Sequence, residues 1–171
     1  SGVERLAADK KYILAVTSGR CMDHILERLP TFPAPQPPAS RWRLKICGQV
    51  LKTLELSLED IMRFPPTSLT FDFRCLEGWV VPDTEWLGVR VGTLLEMAGP
   101  LTDARYVVFK SGEYSECFPL SEIGDMVVAY KHRGEMLAHE HGGPLRLVFP
   151  RQHCYQSIKW LEEIELTSRY V

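Results

Sequence analysis

Cys75 stands between a strand-like run and a glycine turn, in Phe73-Arg74-Cys75-Leu76-Glu77-Gly78-Trp79. Further along comes His141-Gly142-Gly143-Pro144-Leu145-Arg146-Leu147-Val148-Phe149-Pro150, which leads on to Ser157-Ile158-Lys159-Trp160-Leu161. A thiolate is a soft ligand that suits a heavy transition metal. A strand end followed by Gly78 opens the Cys75 side chain toward a crevice. A single Cys is also, and more often, a small buried apolar residue. Position alone leaves both readings open. In the later segment, Gly142-Gly143 lets backbone approach a ligand with no Cβ in the way. Arg146 offers a planar fork of donors that matches phosphate. An isolated His-Gly-Gly-Pro is equally a hairpin turn with solvated charges.

His139 and His141 are two apart, so on a strand they would share a face, as zinc ligands do. His132, His153 and Cys154 could complete such a site, although solvated loop histidines fit the pattern as well. Glu77 and Asp83 flank the Cys75 turn and read as solvated carboxylates. Trp79 and Trp86 read as core or pocket wall. Glycine-rich phosphate loops and the Gly-x-Ser-x-Gly nucleophile elbow are absent from the sequence.

Elements must hold these residues. Trp42, Leu44 and Ile46 alternate with Arg43 and Lys45, which predicts a half-buried strand ending at Gly48. Ser57-Leu58-Glu59-Asp60 has the form of a capping box and predicts a short helix that stops before Pro65-Pro66. Leu69 to Arg74 is a strand with Cys75 at its end. Thr93 to Glu96 opens a second short helix, closed by Gly99-Pro100. Strands are expected at Tyr106 to Lys110, Val127 to His132, Pro144 to Phe149 and Ile158 to Thr167. Ser121 caps a turn around Glu122 to Asp125, and Gly134 sits in a turn. Short helices among many strands predict an α+β fold with a mixed sheet.

The 171 residues predict one domain, and 45% apolar residues allow a sizeable core. A net charge of −2 with dispersed basic residues leaves no footprint for nucleic acid or an anionic membrane. The longest apolar runs are strand-sized, far short of the roughly 20 residues of a membrane span. Five cysteines, odd in number and without a Cys-x-x-Cys pair, argue against a zinc ribbon or a disulfide framework. They are expected to be mostly reduced, in a cytoplasmic protein. The chain begins Ser1-Gly2, so a removed signal peptide would leave no trace. Pro30, Pro33, Pro35, Pro37 and Pro38 exclude helix and central strand from 30–40. An N-terminal segment with a Pro-rich arm is expected over 1–40, and the functional domain over 41–171.

The sequence resembles the catalytic domain of the sulfite oxidase family of molybdopterin-dependent oxidoreductases. The resemblance runs from about Trp42 to Leu166. It rests on Cys75-Leu76-Glu77-Gly78-Trp79, then Trp86-Leu87-Gly88-Val89 and Leu94-Leu95. It rests also on His141 and Arg146 five apart, with Ser157-Ile158-Lys159 following. The resemblance implies the α+β, mixed-sheet fold of that domain, one molybdenum on a single molybdopterin, and Cys75 as metal ligand and catalytic residue. It implies pterin contacts at His141, Arg146, Ser157, Ile158 and Lys159, and another at Ser111. An N-terminal contact motif is usual in the family, and here Arg20 and His24 are only loose counterparts.

Sulfite oxidases carry arginines shortly after the Cys, where this chain has Leu76, Glu77, Gly78 and Trp79. The expectation is therefore two-electron oxo transfer on a small molecule, S-oxide or N-oxide reduction rather than sulfite oxidation, with an unidentified electron-transfer partner. The chain stops soon after Lys159, where relatives continue into a dimerisation domain, so a monomer is expected. Arg151 and Cys154 stand where the family often has Gly, which bears on the local loop shape. Two rival readings are a non-catalytic pterin- or ligand-binding module and a zinc-dependent hydrolase using His139 and His141.

Overall fold

Val127 and Ala129 are buried in one hydrophobic cluster, and Val128 and Tyr130 in another. Successive strand residues face opposite sides of a sheet. This strand is therefore covered on both faces, which is why it reads as a continuous apolar run. The computed structural model describes residues 13–14, 24–31, 33–34 and 41–171.

The strands are β1 (Ile13–Leu14), β2 (His24–Ile25), β3 (Leu44–Gly48), β4 (Leu54–Leu56), β5 (Thr67–Arg74) and β6 (Trp79–Arg90). They continue with β7 (Tyr106–Ser111), β8 (Tyr114–Pro119), β9 (Val127–His132), β10 (Glu135–Met136), β11 (Arg146–Val148) and β12 (Glu163–Thr167). Helix α1 (Leu58–Met62) follows β4, and α2 (Val91–Ala98) follows β6. One sheet runs β1-β2-β6-β9-β10, with β5 also on β6 and β11 also on β9; the other runs β4-β3-β12-β7-β8. Pairs β2–β6 and β3–β12 are parallel, and the remaining pairs are antiparallel. The fold is α+β with mixed sheets, as expected. The larger core joins the sheets: Leu44, Phe109 and Ile164 come from one, Val89, Val128 and Leu147 from the other. The second core lies on the opposite face of the larger sheet, around Phe73, Trp79 and Trp86.

Local chemistry explains the helix ends. Ser57 Oγ accepts from the Asp60 N–H at 3.1 Å, and Asp60 Oδ2 accepts from the Ser57 N–H at 2.9 Å, the expected capping box. Helix α2 begins at Val91, two residues before the expected opening at Thr93, and Arg90 supplies no side-chain cap. The Val91 N–H donates instead to Met126 O, and Val91, Leu94, Leu95 and Ala98 hold the helix by burial. The expected turn at Ser121 is a 3₁₀ turn, Leu120–Glu122.

Strands β6 and β8 were not expected. Pro82-Asp83 breaks the apolar pattern of β6, yet the strand continues through a bulge. Phe71 faces Thr84 and Phe73 faces Val81, so Pro82 and Asp83 together oppose Asp72. Asp83 has φ +49°, and its N–H donates to Asp72 Oδ1 at 3.1 Å. Strand β11 is shorter than the expected Pro144 to Phe149, because pairing with β9 covers only Arg146, Leu147 and Val148. Residues 158–162 are not strand either. They cross the His141 segment, with the Trp160 N–H bonded to Gly142 O and the Leu161 N–H to Leu145 O. Of the Pro-rich passage, 35–40 lies outside the described residues. Leu26 and Leu29, just before it, are buried in the second core.

Candidate active site

Strand β5 delivers Cys75 to a turn at the sheet's end. The Cys75 N–H donates to Trp79 O at 2.9 Å, and the Gly78 N–H donates to Cys75 O at 3.0 Å. Gly78 takes φ +85°, which the turn requires and a glycine supplies without strain. Glu77 Oε2 lies 3.4 Å from Trp79 Nε1. Cys75 Sγ lies 2.9 Å from Cys154 Sγ. Burial, then the hydrogen bond with Cys154, pushes the Cys75 thiol pKa up to about 12. In the metal-free chain Cys75 is therefore a thiol, and a bound metal would displace its proton.

Arg146, at the start of β11, is 4% exposed. Its Nε donates to Ser157 Oγ at 2.8 Å and its Nη1 to His141 O at 2.9 Å. Ser157 Oγ in turn donates to Leu147 O at 2.9 Å. The guanidinium carbon stands 5.1 Å from the Phe73 ring centre and 5.3 Å from that of Trp86. Those aromatic faces attract the cation in place of water. Burial pulls the Arg146 pKa well down. Lys159 is half-buried nearby, and burial followed by the Arg146 charge lowers its pKa to about 8. Its Nζ donates to Glu140 O at 3.2 Å.

Two cavities meet here. The larger, about 530 Å³, is walled by Trp42, Ser111, Gly112, Ser157, Ile158, Trp160 and others. The smaller, about 260 Å³, is walled by Leu29, Pro30, Phe73, Cys75, Glu77 and Trp79. Arg146, Cys154, Tyr155 and Lys159 border both. Of the expected site residues, the structure gathers Ser111, Arg146, Ser157, Ile158 and Lys159 on the larger cavity and Cys75 on the smaller. His141 is placed differently. It supports Arg146 through its carbonyl, while His139 is the histidine on the cavity wall. Arg20 lies outside the described residues. His24 is exposed on β2 and lines neither cavity.

The zinc reading is corrected. His139 and His141 lie in a 3₁₀ turn, not on a strand, so a two-residue spacing does not align them. The His139 ring centre is 5.6 Å from Trp160, that of His141 is 6.4 Å from His132, and His153 stacks on Tyr155. Among the described residues no group of three or more His, Cys, Asp or Glu is arranged to hold a metal.

The residues present fit a phosphate-bearing cofactor whose metal takes one soft protein ligand. Two desolvated cations border the larger cavity, and an anion there would relieve their mutual repulsion. Trp42 Nε1 is buried without an acceptor among the described residues, and Trp42 walls the same cavity. Gly112, at φ +56°, has open space where a Cβ would stand. Trp42, Tyr155 and Trp160 were not expected as site residues, and Cys154 was weighed only for a zinc site. Trp42 read as an ordinary inward position of a strand, and nothing local distinguishes the others.

The family model described as oxidoreductase molybdopterin binding domain matches residues 31–170. The chain is 37% identical over 131 residues to the uncharacterized oxidoreductase YuiH of Bacillus subtilis, across 75% of this chain and 66% of that one. It is 32% identical over 148 residues to the catalytic subunit MsrP of protein-methionine-sulfoxide reductase from Campylobacter jejuni, across 74% and 49%. The sulfane dehydrogenase SoxCD from Paracoccus pantotrophus matches with a TM-score of 0.77 at 22% identity, over 99% of this chain and 53% of that one. At that identity the likeness speaks for the fold. The chain thus spans about half to two thirds of the length of these relatives.

Proposed function

Because this chain belongs to the family of oxidoreductase molybdopterin-binding domains, we propose that it seats a molybdenum–molybdopterin cofactor in the larger cavity, with Cys75 as its protein ligand. We propose further that it reduces a neutral S-oxide or N-oxide. The observation that carries this reading is the wall common to both cavities. Arg146 and Lys159 line the larger cavity and also the smaller one, whose wall Cys75 shares.

When bound, the cofactor supplies the two-electron change and accepts the substrate oxygen. The chain's own residues do the rest. Arg146 and Lys159 hold the cofactor's phosphate, Arg146 by a charge-assisted fork. Ser157 keeps the Arg146 Nε in place, and the His141 carbonyl keeps Nη1 there. Ser111, Ile158 and Trp42 bound the pterin. Phe73, Trp79, Leu29 and Pro30 give the smaller cavity an apolar wall that excludes water and receives an uncharged substrate. Glu77 brings a carboxylate to that wall, where it can carry a proton to the departing oxygen. The overall reaction consumes two electrons and two protons and releases the oxygen as water. The electrons come from a separate electron-transfer partner. A carboxylate in place of arginines after Cys75, with the two cations engaged by the cofactor, disfavours sulfite. The methionine sulfoxide in the Campylobacter relative's name points the same way.

The test is protein made in a cofactor-competent host. Elemental analysis should find about one molybdenum per chain, and Cys75→Ser should lose it while folding normally. A dye-linked assay with reduced viologen should turn over methionine sulfoxide, dimethyl sulfoxide or trimethylamine N-oxide. Rapid sulfite oxidation instead, or full molybdenum in the Cys75→Ser variant, would overturn the reading.

A further inference from the structure

Cys75 and Cys154 come from distant parts of the chain, 79 residues apart, and their sulfur atoms are 2.9 Å from each other. That is closer than two unbonded sulfurs ordinarily rest, and closing to the roughly 2.05 Å of a disulfide takes a movement under about 1 Å. Each thiol is half-buried, and both stand on the wall of the smaller cavity. A small reagent entering that cavity meets both sulfurs at once. Cys47 and Cys117, the other cysteines among the described residues, line neither cavity.

We infer that Cys75 and Cys154 form a reversible disulfide in the metal-free chain, and that this bond excludes the cofactor until it is reduced. The oxidant is a low-molecular-weight disulfide, such as oxidised glutathione. One cysteine of the pair, as thiolate, attacks a glutathione sulfur. The glutathione S–S bond breaks, a mixed disulfide forms, and one glutathione leaves as thiol. The second cysteine then attacks the protein sulfur of the mixed disulfide and releases the second glutathione. Two protein thiols become one disulfide, and their two electrons reside in two molecules of reduced glutathione. The bond spares Cys75 from irreversible oxidation to sulfinic or sulfonic acid. It also occupies the only sulfur that Cys75 can offer a metal. The pairing stands on the sulfur contact, whereas its effect on cofactor loading rests on the proposed function.

The experiment uses the full chain made in a host lacking the cofactor. It is equilibrated with oxidised glutathione, its remaining thiols are alkylated, and its peptides are mapped without reduction. A Cys75–Cys154 cross-linked peptide is expected, with Cys47 and Cys117 alkylated. Dithiothreitol should abolish the cross-link, and Cys154→Ser should never form it. Alkylation of both Cys75 and Cys154 after equilibration, or a persistent glutathione adduct in place of the cross-link, would overturn the inference. The oxidised and reduced forms are then offered molybdopterin-bound molybdate, and molybdenum is counted. Loading only after reduction is expected. A cross-linked chain that still loads fully would refute the exclusion and, with it, Cys75 as ligand. No cross-link, together with loss of loading in Cys75→Ser, would refute the disulfide and leave the proposed function standing.

Discussion

Gly142 and Lys159 are in direct contact, and a Cβ built on Gly142 would stand 2.7 Å from both Cβ and Cγ of Lys159. Gly142 also takes φ +101°, in the left-handed region. The glycine is what lets the two motif segments lie against each other. Gly142→Ala combines a left-handed penalty with overpacking, about 2 kcal/mol or more together. A thermal melt of the metal-free variant should show a midpoint several degrees lower. Molybdenum retention should fall further than stability alone accounts for, because Lys159 is the residue pushed aside. An unchanged melt would mean that the two segments part easily.

Arg146 separates binding from folding. It is a buried cation with no carboxylate among its hydrogen-bond partners in the described residues, held by Ser157, the His141 carbonyl and two aromatic rings. Removing the guanidinium relieves the desolvation of a buried charge, but it leaves the His141 carbonyl without its donor, which costs about 1–3 kcal/mol. Arg146→Met should therefore melt within a few degrees of the parent when both are metal-free, yet retain little cofactor. Arg146→Lys keeps the charge, loses the fork, and should retain an intermediate amount. A collapse of the metal-free Arg146→Met fold would assign the guanidinium a structural role instead.

Much of this arrangement could be read from local signals. Gly78 after a strand announced the Cys75 turn, and Ser57 with Asp60 announced α1. The expected cofactor contacts converge because Arg146 and Ser157 are joined by a hydrogen bond across their eleven-residue spacing. What could not be read depends on pairing between distant segments. Cys154 looks like any loop cysteine until β5 and the turn after Phe149 bring it to Cys75. Trp42 and Trp160 become neighbours of one cavity only through the β3–β12 pairing. Strand β6 was hidden by Pro82, which ordinarily ends a strand and here sits in a bulge. His141 was expected among the pterin contacts, and its 3₁₀ turn presents its carbonyl to Arg146.

The proposed role of Lys159 at the phosphate predicts that cofactor retention depends on pH. In the metal-free chain its pKa is lowered to about 8 by burial and by Arg146. A bound phosphate raises that value. The attraction is thus fully present below about pH 8 and fades as pH climbs through the raised pKa of the bound form. Dialysis of loaded protein from pH 7 to 10 should release cofactor increasingly at the alkaline end. Lys159→Arg, whose charge persists across this range, should flatten the profile. Equal release from both proteins would remove Lys159 from the phosphate site.

His132 sets an acid limit on stability. Burial lowers its pKa to about 4 in the folded chain, against 6.5 ordinarily. Its ring centre lies 4.4 Å from Trp86, and its Nδ1 is 2.9 Å from Glu85 O. The folded state resists the proton that the unfolded state accepts. The contribution of neutral His132 is therefore complete above pH 6.5 and is lost as pH falls from there to about 4. Melting temperatures should decline over that interval, and His132→Gln should shrink the decline. A parent and variant that fall in parallel would place the acid sensitivity elsewhere.

The parallel partnership of β3 with β12 has a consequence for how the protein is made. The Lys45 N–H bonds to Glu162 O at 2.9 Å, and β12 then pairs with both β3 and β7. Trp42 lies just before β3, and Trp160 and Glu162 lie just before β12; all three wall the larger cavity. That cavity has no complete wall while residues 163–167 are still being synthesised. Long-range pairing of this kind is slow relative to hairpin formation. Docking of β12 against β3 and β7 is thus the step that completes the wall of the larger cavity.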